Sequence, residues 1–232
     1  FGELLGANDF SLLTGCDRRD AAKHLDYTGA ALLHKDYASA QVHDKVHLVP
    51  FGEYLPLRQT VPLLQTILGK VLPFDFTPGA ATEPLKLRKP EMGLIPLICF
   101  EDTVGSLARQ FVREGPQLIV NMTNDGWFLH SSEPEQHLTN AIFRAIELRR
   151  PMCRACNTGV TCFVDDRGRI RSTLRDPQTN RTFIEGVLPS TLQIAVHPPM
   201  TIYARWGDWF SMVCLVLCAL GGWWGRRATS RP

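Results

Sequence analysis

At 232 residues, with 44% hydrophobic and 21% charged side chains, the chain has the size and composition of one substantial globular domain, which excludes intrinsic disorder. Lys and Arg number 25 against 23 Asp and Glu, a net charge of +2 with the basic residues scattered, so no nucleic-acid partner is expected. The prolines and glycines follow no period and the seven cysteines lack regular spacing, which excludes collagen-like, repeat and disulfide-scaffold classes.

In chain order, the sequence starts at Phe1 without a Met, a basic n-region or a signal-like apolar run, and is read as a piece of something longer. Phe10–Gly15 and Gly29–His34 read as strands, with a third over Gln41–Val49. Residues 54–84 carry five prolines around a strongly apolar middle, in which Val61, Leu64, Leu68, Val71 and Leu72 share one helical face. That face suits either a helix packed on the core or an amphipathic arm, spanning 61–76, at a bilayer surface. Leu94–Phe100 is almost wholly apolar, as a strand buried on both faces should be, and a helix over Val104–Arg113 ends at Gly115-Pro116. Leu118–Met122 is a second buried strand. Ser132 is placed to cap a helix that carries Pro134 in its first turn, presents Leu138, Ile142, Ala145, Ile146 and Leu148, and stops near Arg149 before Pro151. Met152–Asn157 and Thr161–Asp165 read as strands, and Asp166-Arg167-Gly168 turns the chain into Arg169–Leu174. Alternating strands and helices with short connections predict a layered α/β domain.

The last segment is of another kind. Trp209–Trp224 holds sixteen residues without a charge, roughly 24 Å of helix against a hydrocarbon core of roughly 30 Å. A buried core helix is one reading. Trp209, Trp223 and Trp224 at its ends, followed by Arg226, Arg227 and Arg231, favour a transmembrane helix over 209–224 with a basic cytoplasmic tail, 225–232. The preceding domain then lies on the outer face.

Cys99 ends a buried strand just before a helix, a place where α/β enzymes set reactive groups and where a helix N-terminus favours a thiolate; a small buried hydrophobe is the alternative. Lys45 lies in a run of apolar residues with Pro50 and Gly52-Glu53, a poor exposed loop. Its ammonium suits a developing oxyanion, with Glu53 either orienting it or pairing with it. Cys153-x-x-Cys156 has no second pair to complete a metal site, and His130 and His137, seven apart, read as packing or hydrogen-bonding residues, so no metal is expected. Cys214 and Cys218 share one face of the C-terminal helix.

The segments HDKVHLVPFGEYLP (43–56), LICFED (97–102), NMTNDGWF (121–128), PEQHLTNAIFRAIELRRP (134–151) and RACNTGVT (154–161) together resemble the nitrilase-superfamily domain of the apolipoprotein N-acyltransferase family, over almost the whole chain. The resemblance implies an α-β-β-α sandwich over residues 1–200, incomplete at its N-terminus, followed by the membrane helix. It also implies a Glu-Lys-Cys triad. Lys45 matches the family lysine and Cys99 the nucleophile; Glu53 matches a glutamate beside the lysine, Glu101 the acid after the cysteine, and Trp127 a tryptophan near the pocket. Two departures stand out. The family's first catalytic glutamate belongs upstream of Phe1, Glu3 being in the wrong surroundings, so these 232 residues alone are expected to be inactive. Phe100 replaces a tyrosine common in relatives.

The activity so implied is acyl transfer without cofactor. The Cys99 thiolate takes a fatty acyl chain from a phospholipid, Lys45 and the Phe100 N–H hold the oxyanion, and the resulting thioester passes the chain to the N-terminal amine of a diacylglyceryl-modified apolipoprotein. The implied setting is the bacterial inner membrane with the domain on the periplasmic face, and the chain is expected to be a monomer. A membrane-tethered amidase and a non-catalytic lipid or lipoprotein binder are the rival expectations.

Overall fold

The computed structural model describes residues 10–35, 39–58, 60–61, 66–67, 75–80, 82–128 and 131–229. Glu3, His130, Arg231 and most of the 61–76 arm, including Leu64, Leu68, Val71 and Leu72, lie outside them. Three strands, β1 (Leu12–Asp20), β2 (Leu25–Leu33) and β3 (Gln41–Asp44), form an antiparallel sheet in that order. Six more, β4 (Leu85–Arg88), β5 (Glu91–Ile98), β6 (Gln117–Thr123), β7 (Met152–Cys156), β8 (Cys162–Val164) and β9 (Ile170–Thr173), form a second sheet, also in chain order. Only the β5–β6 and β6–β7 pairs are parallel, and each is joined through a helix: α1 (Gly105–Gln110) or α2 (Glu133–Leu148). Parallel neighbours need such a crossover because the chain must return to the same end of the sheet.

The two faces of β5 and β6 bury different partners, which is why both strands read as continuous apolar runs. On one face Leu94 and Val120 meet Leu32 of β2 and Leu85 of β4, joining the two sheets. On the other, Ile95, Leu97, Ile119 and Met152 pack against Leu107, Phe111, Leu138, Ala141, Ala145 and Leu148 from the helical layer. The described residues thus form three layers: a small sheet, a larger sheet and helices. The outer helical layer of an α-β-β-α sandwich, which would cover the small sheet, is not among them.

Several boundaries differ from the sequence reading for identifiable reasons. The first two strands extend to a nine-residue hairpin ladder, Leu12↔Leu33 through Asp20↔Leu25. Its outer half is polar and held by charge: Arg18 pairs with Asp44 at 2.6 Å and lies 4.2 Å over the Tyr27 ring, while Asp20 accepts the N–H groups of Ala22 and Lys23 in the turn. Strand β4, bracketed by Pro84 and Pro90, carries no apolar run and so leaves no strand signal in the sequence. The third strand stops at Asp44 rather than Val49: the Lys45 N–H still donates to the Thr28 carbonyl of β2 at 2.8 Å, but the two N–H groups after it are taken by a side chain described below. Ser132 stands at the N-cap of α2, but its hydroxyl makes no capping bond. The hairpin after β8 needs its glycine twice over. Gly168 has φ +80°, and a Cβ there would come 2.6 Å from Ile146 of α2.

Beyond β9 the chain runs without regular structure to α3 (Ile202–Trp206) and α4 (Trp209–Thr229). This strap is tied to the core by the buried Arg150 guanidinium, which donates to the Pro199 carbonyl at 3.2 Å, and by the Thr201 hydroxyl, which donates to the Glu147 carbonyl at 2.5 Å. The expected transmembrane segment 209–224 is helical, and the helix continues into the expected tail as far as Thr229. Among the described residues, no helix is long and apolar enough to cross a membrane. Helix α4 is nonetheless apolar around its circumference and open to solvent, with Phe210 66% and Leu215 69% exposed.

Leu97 is fully buried between β6 and the helical layer. Leu97→Ala is expected to destabilise the domain by about 2–5 kcal/mol, read as a lowered urea midpoint with an unchanged m-value.

Candidate active site

Cys99 follows the last residue of β5 and opens a tight 3-10 turn, Cys99–Thr103, that leads into α1. Its φ of +51° is rare for a residue with a side chain, and such strain persists only where the surroundings hold it. Here they do. The Asn121 amide of the neighbouring strand donates to the Leu97 carbonyl at 3.1 Å and to the Cys99 carbonyl at 3.2 Å. Glu101, fully buried in the turn, accepts the Ile98 N–H at 2.8 Å. The Phe100 N–H falls at the turn's N-terminal end, where amides have no partner within the turn. The Phe100 ring stacks on His47 at 6.1 Å.

The other oxygen of Glu101 accepts the N–H groups of Val46 and His47, at 2.7 and 2.9 Å. Burial pushes the Glu101 carboxyl above its ordinary value, and the His47, Ile98 and Val46 N–H bonds pull against that. The segment ended early by this carboxylate carries Lys45, which is 0% exposed and reaches Glu53 Oε1 with its Nζ at 2.6 Å. Glu53 is fixed in turn by the Val49 N–H, which it accepts at 2.8 Å. The Phe76 N–H, at the end of the apolar arm, donates to the Glu53 carbonyl at 2.9 Å.

Between the two sheets, at the C-terminal ends of β5, β6 and β7, lies a cavity of about 710 Å³. Cys99 and Glu53 line it with Ile98, Met122, the hairpin residues Thr14 to Asp17, and Trp127. Trp127, on a short turn after β6, is 81% exposed and forms part of the lip. Of the residues singled out from the sequence, Cys99, Glu53 and Trp127 therefore share one cavity. Lys45 stands behind Glu53, and Glu101 binds the Lys45 segment to the cysteine turn. Cys16 and Cys156 also line this cavity, which their sequence context gave no reason to expect. Burial raises both thiols, Cys156 to about 11, and the Cys156 thiol donates to the Val160 carbonyl at 3.1 Å. Cys153 is pushed to about 11 by the same cause, and all seven cysteines are free.

Beneath the turn lies a ring of four charges that the sequence did not reveal. His137 of α2 donates from Nε2 to Asp102 at 2.8 Å and from Nδ1 to Asp125 at 2.9 Å. Arg154 of β7 bridges the same carboxylates, donating to Asp102 and, at 3.3 Å, to Asp125. Burial alone would lower the imidazole pKa, but the bonds to Asp102 and Asp125 carry it up to about 10, so the ring holds two carboxylates and two cations. Gly159, at φ +117°, lies so close that a Cβ would come 2.4 Å from Asp125 Oδ2. Asp125, Glu133 and His137 also each bring one potential metal-ligand atom within 4.8 Å of the others. That set is poorly suited to a cation: both imidazole nitrogens are committed to carboxylates, and the Arg154 charge adjoins it.

The carbon-nitrogen hydrolase family profile matches residues 1–194. The chain belongs to that family. The fold agrees: a carbon-nitrogen hydrolase from Helicobacter pylori G27 superposes with a TM-score of 0.55 at 17% identity, covering 75% of this chain and 61% of that one. Nit3 of Saccharomyces cerevisiae gives 0.51 at 15% identity, covering 75% and 58%. Within the family the sequence is similar to apolipoprotein N-acyltransferases, as its motifs indicate. It is 40% identical to that of Geobacter metallireducens over 177 residues, 76% of this chain and 32% of the relative. It is 33% identical to apolipoprotein N-acyltransferase 1 of Treponema denticola over 202 residues, 85% and 36% of the two chains. The chain spans about a third of the length of these curated relatives.

Because His137 is raised from 6.5 to about 10 on folding, its contribution to stability is fully present below pH ~6.5 and is lost as pH rises through about 10. The difference in unfolding free energy between wild type and His137→Gln is therefore expected to be largest at pH 6 and to shrink steadily toward pH 10.5. Urea titrations across that range check it.

Proposed function

We propose that this domain transfers a fatty acyl chain from a phospholipid to the N-terminal amine of a diacylglyceryl-modified apolipoprotein, through a thioester on Cys99. The observation that carries the reading is the placement of Cys99, in a left-handed turn at the end of β5, on the same cavity as Glu53, whose carboxylate holds the buried Lys45. In the first half the thiolate sulfur attacks the ester carbonyl carbon. The oxygen becomes an oxyanion stabilised by the Phe100 N–H and, as the family resemblance implies, by the charge of the Lys45 ammonium that Glu53 holds. Collapse breaks the carbon–oxygen bond, and the lysophospholipid leaves with a proton from a general acid. In the second half the free amine attacks the thioester carbonyl, the carbon–sulfur bond breaks, and the amine's proton passes to the general base. That acid/base is a carboxylate that the family resemblance places upstream of Phe1.

Glu53 positions Lys45 and, with the Val49 N–H on its other oxygen, is itself kept from swinging away. Trp127 at the lip offers a flat apolar surface against which an acyl chain can lie. Helix α4, with apolar side chains exposed around it, is read as the part that meets the bilayer, since both substrates are lipids. We place the protein at the bacterial inner membrane, with the cavity on the periplasmic side. The chemistry asks for no cofactor.

Intact mass of the native-length protein after incubation with phospholipid in detergent tests this reading. A hydroxylamine-labile acyl adduct is expected on the wild type and none on Cys99→Ala, while Lys45→Met slows its formation by about 10²-fold or more. Hydrolysis of small amides without an acyl adduct would instead assign a membrane-tethered amidase. Binding of lipid without either product would assign a non-catalytic binder.

A further inference from the structure

The buried ring under the active-site turn is more than the fold requires. Taking four charges out of water is costly, and well-packed apolar side chains of similar volume often serve stability as well or better. What an ionic ring does that an apolar cluster does not is fix one arrangement of the elements it joins, because each displaced partner leaves a buried charge uncompensated. The ring's two carboxylates come from the two ends of the active site. Asp102 lies three residues after Cys99 in the same turn, and Asp125 lies two residues before Trp127 at the cavity lip. The only described side chains bonded to both carboxylates are His137 and Arg154. Arg154 also donates to Asn121 Oδ1 at 2.8 Å, and that amide holds the Cys99 carbonyl.

We propose that His137, acting with Arg154, is a positioning residue that couples the Trp127 lip of the cavity to the Cys99 turn, so that the surface on which substrate seats and the placement of the attacking sulfur are set together. Neither residue lines the cavity, and neither touches the reacting atoms. The groups facing the imidazole are Asp102 from the turn after β5, Asp125 from the turn after β6, Arg154 of β7, and Glu133 one turn earlier on α2, 4.0 Å from Nδ1. The coupling stands on this geometry alone. Its role in seating an acyl chain rests on the acyl-transfer reading above.

The test uses native-length protein labelled with 5-fluorotryptophan, with the Trp127 resonance assigned as the one lost in Trp127→Phe. The Cys99 turn is read separately, by the rate of iodoacetamide alkylation at pH 8, where the ring keeps its charges, with Cys99→Ala as the blank. Each rate is divided by the thiolate fraction from that protein's own pH–rate profile, which keeps a change of thiol ionisation from passing as a change of geometry. In His137→Gln the Trp127 resonance is expected to shift and Cys99 alkylation to fall about tenfold. Asp125→Asn, which removes the ring's carboxylate on the lip side, should also slow alkylation by about tenfold, and this effect should shrink to less than about twofold in the His137→Gln background. Gln136→Ala, on the exposed face of α2, should change neither signal.

A His137→Gln protein that folds with a lowered melting temperature but keeps the wild-type resonance and alkylation rate would overturn the proposal and leave a purely structural role. Should His137→Gln fail to fold, Asp125→Asn still decides: an unchanged alkylation rate refutes the coupling. Should both fail, nitrogen-15 spectra of the wild type at pH 8 decide, since the ring requires one histidine with protons on both nitrogens, and its absence refutes it. Loss of coupling together with normal acyl-adduct formation refutes this proposal alone. Coupling without any acyl adduct refutes the acyl-transfer reading alone.

Discussion

Glu101 takes backbone N–H groups from two segments more than fifty residues apart, one leaving the small sheet at Val46 and His47, the other ending β5 at Ile98. Backbone amides that leave a ladder inside a protein must find another acceptor, and here one side chain serves three of them. The strand before Lys45 can therefore stop early, and the chain can turn inward without leaving orphaned donors. The lysine is buried, the cysteine is held in an unusual conformation, and the two share a common fixed point. Remove that carboxylate, and the sheets still have Leu32, Leu94 and Val120 to hold them together, but the two reactive segments lose the hydrogen bonds that tie them to one another.

The site spends stability on placement. Cys99 adopts a left-handed backbone, Lys45 is wholly buried, and a ring of four charges fills space that leucines and phenylalanines could occupy. Each is costly alone and affordable only because the helical face of the larger sheet is densely apolar, from Ile95 and Ile119 through Leu138 and Leu148. The division follows the strands themselves. Their middles face the helices or the opposing sheet and carry the core, while their C-terminal ends open onto the cavity and carry the polar groups, as in other sheets with parallel strands.

How much could be read from the amino acids alone follows from the range of the forces involved. Strands β5, β6 and β7 and helix α2 were legible because burial imposes a local, repeated pattern that survives in five to sixteen consecutive residues. The polar half of the β1–β2 hairpin was not, since Arg18, Tyr27 and Asp44 stabilise it through partners on different strands rather than through alternation. Lys45 and Glu53 were legible as a pair because only eight residues separate them. His137 reads as a packing or hydrogen-bonding residue and is one, but the ring it forms with Asp102, Asp125 and Arg154 was invisible for the opposite reason: the partners meet only when the fold brings together positions 12 to 52 apart. A histidine with an aspartate on either side of it in space leaves no trace in spacing.

The junction between α3 and α4 has a mechanical meaning. Arg109 of α1 donates to the carbonyls of Tyr203 and Arg205, at 3.1 and 3.2 Å, and its guanidinium lies against Gly207, whose φ of +61° marks the bend between the two helices. The Tyr203 hydroxyl lies beside Gly105, where α1 begins, next to the Arg144 guanidinium that donates to the Asp102 carbonyl. A load on the apolar C-terminal helix thus reaches, through Arg109 and Tyr203, the helix that starts just after the cysteine turn. The helix that would ride in or on a bilayer is bolted to the frame of the reactive turn, with a single swivel at Gly207. On the bilayer reading proposed above, the tilt and depth of that helix would bear on the reactive turn as well as anchor it.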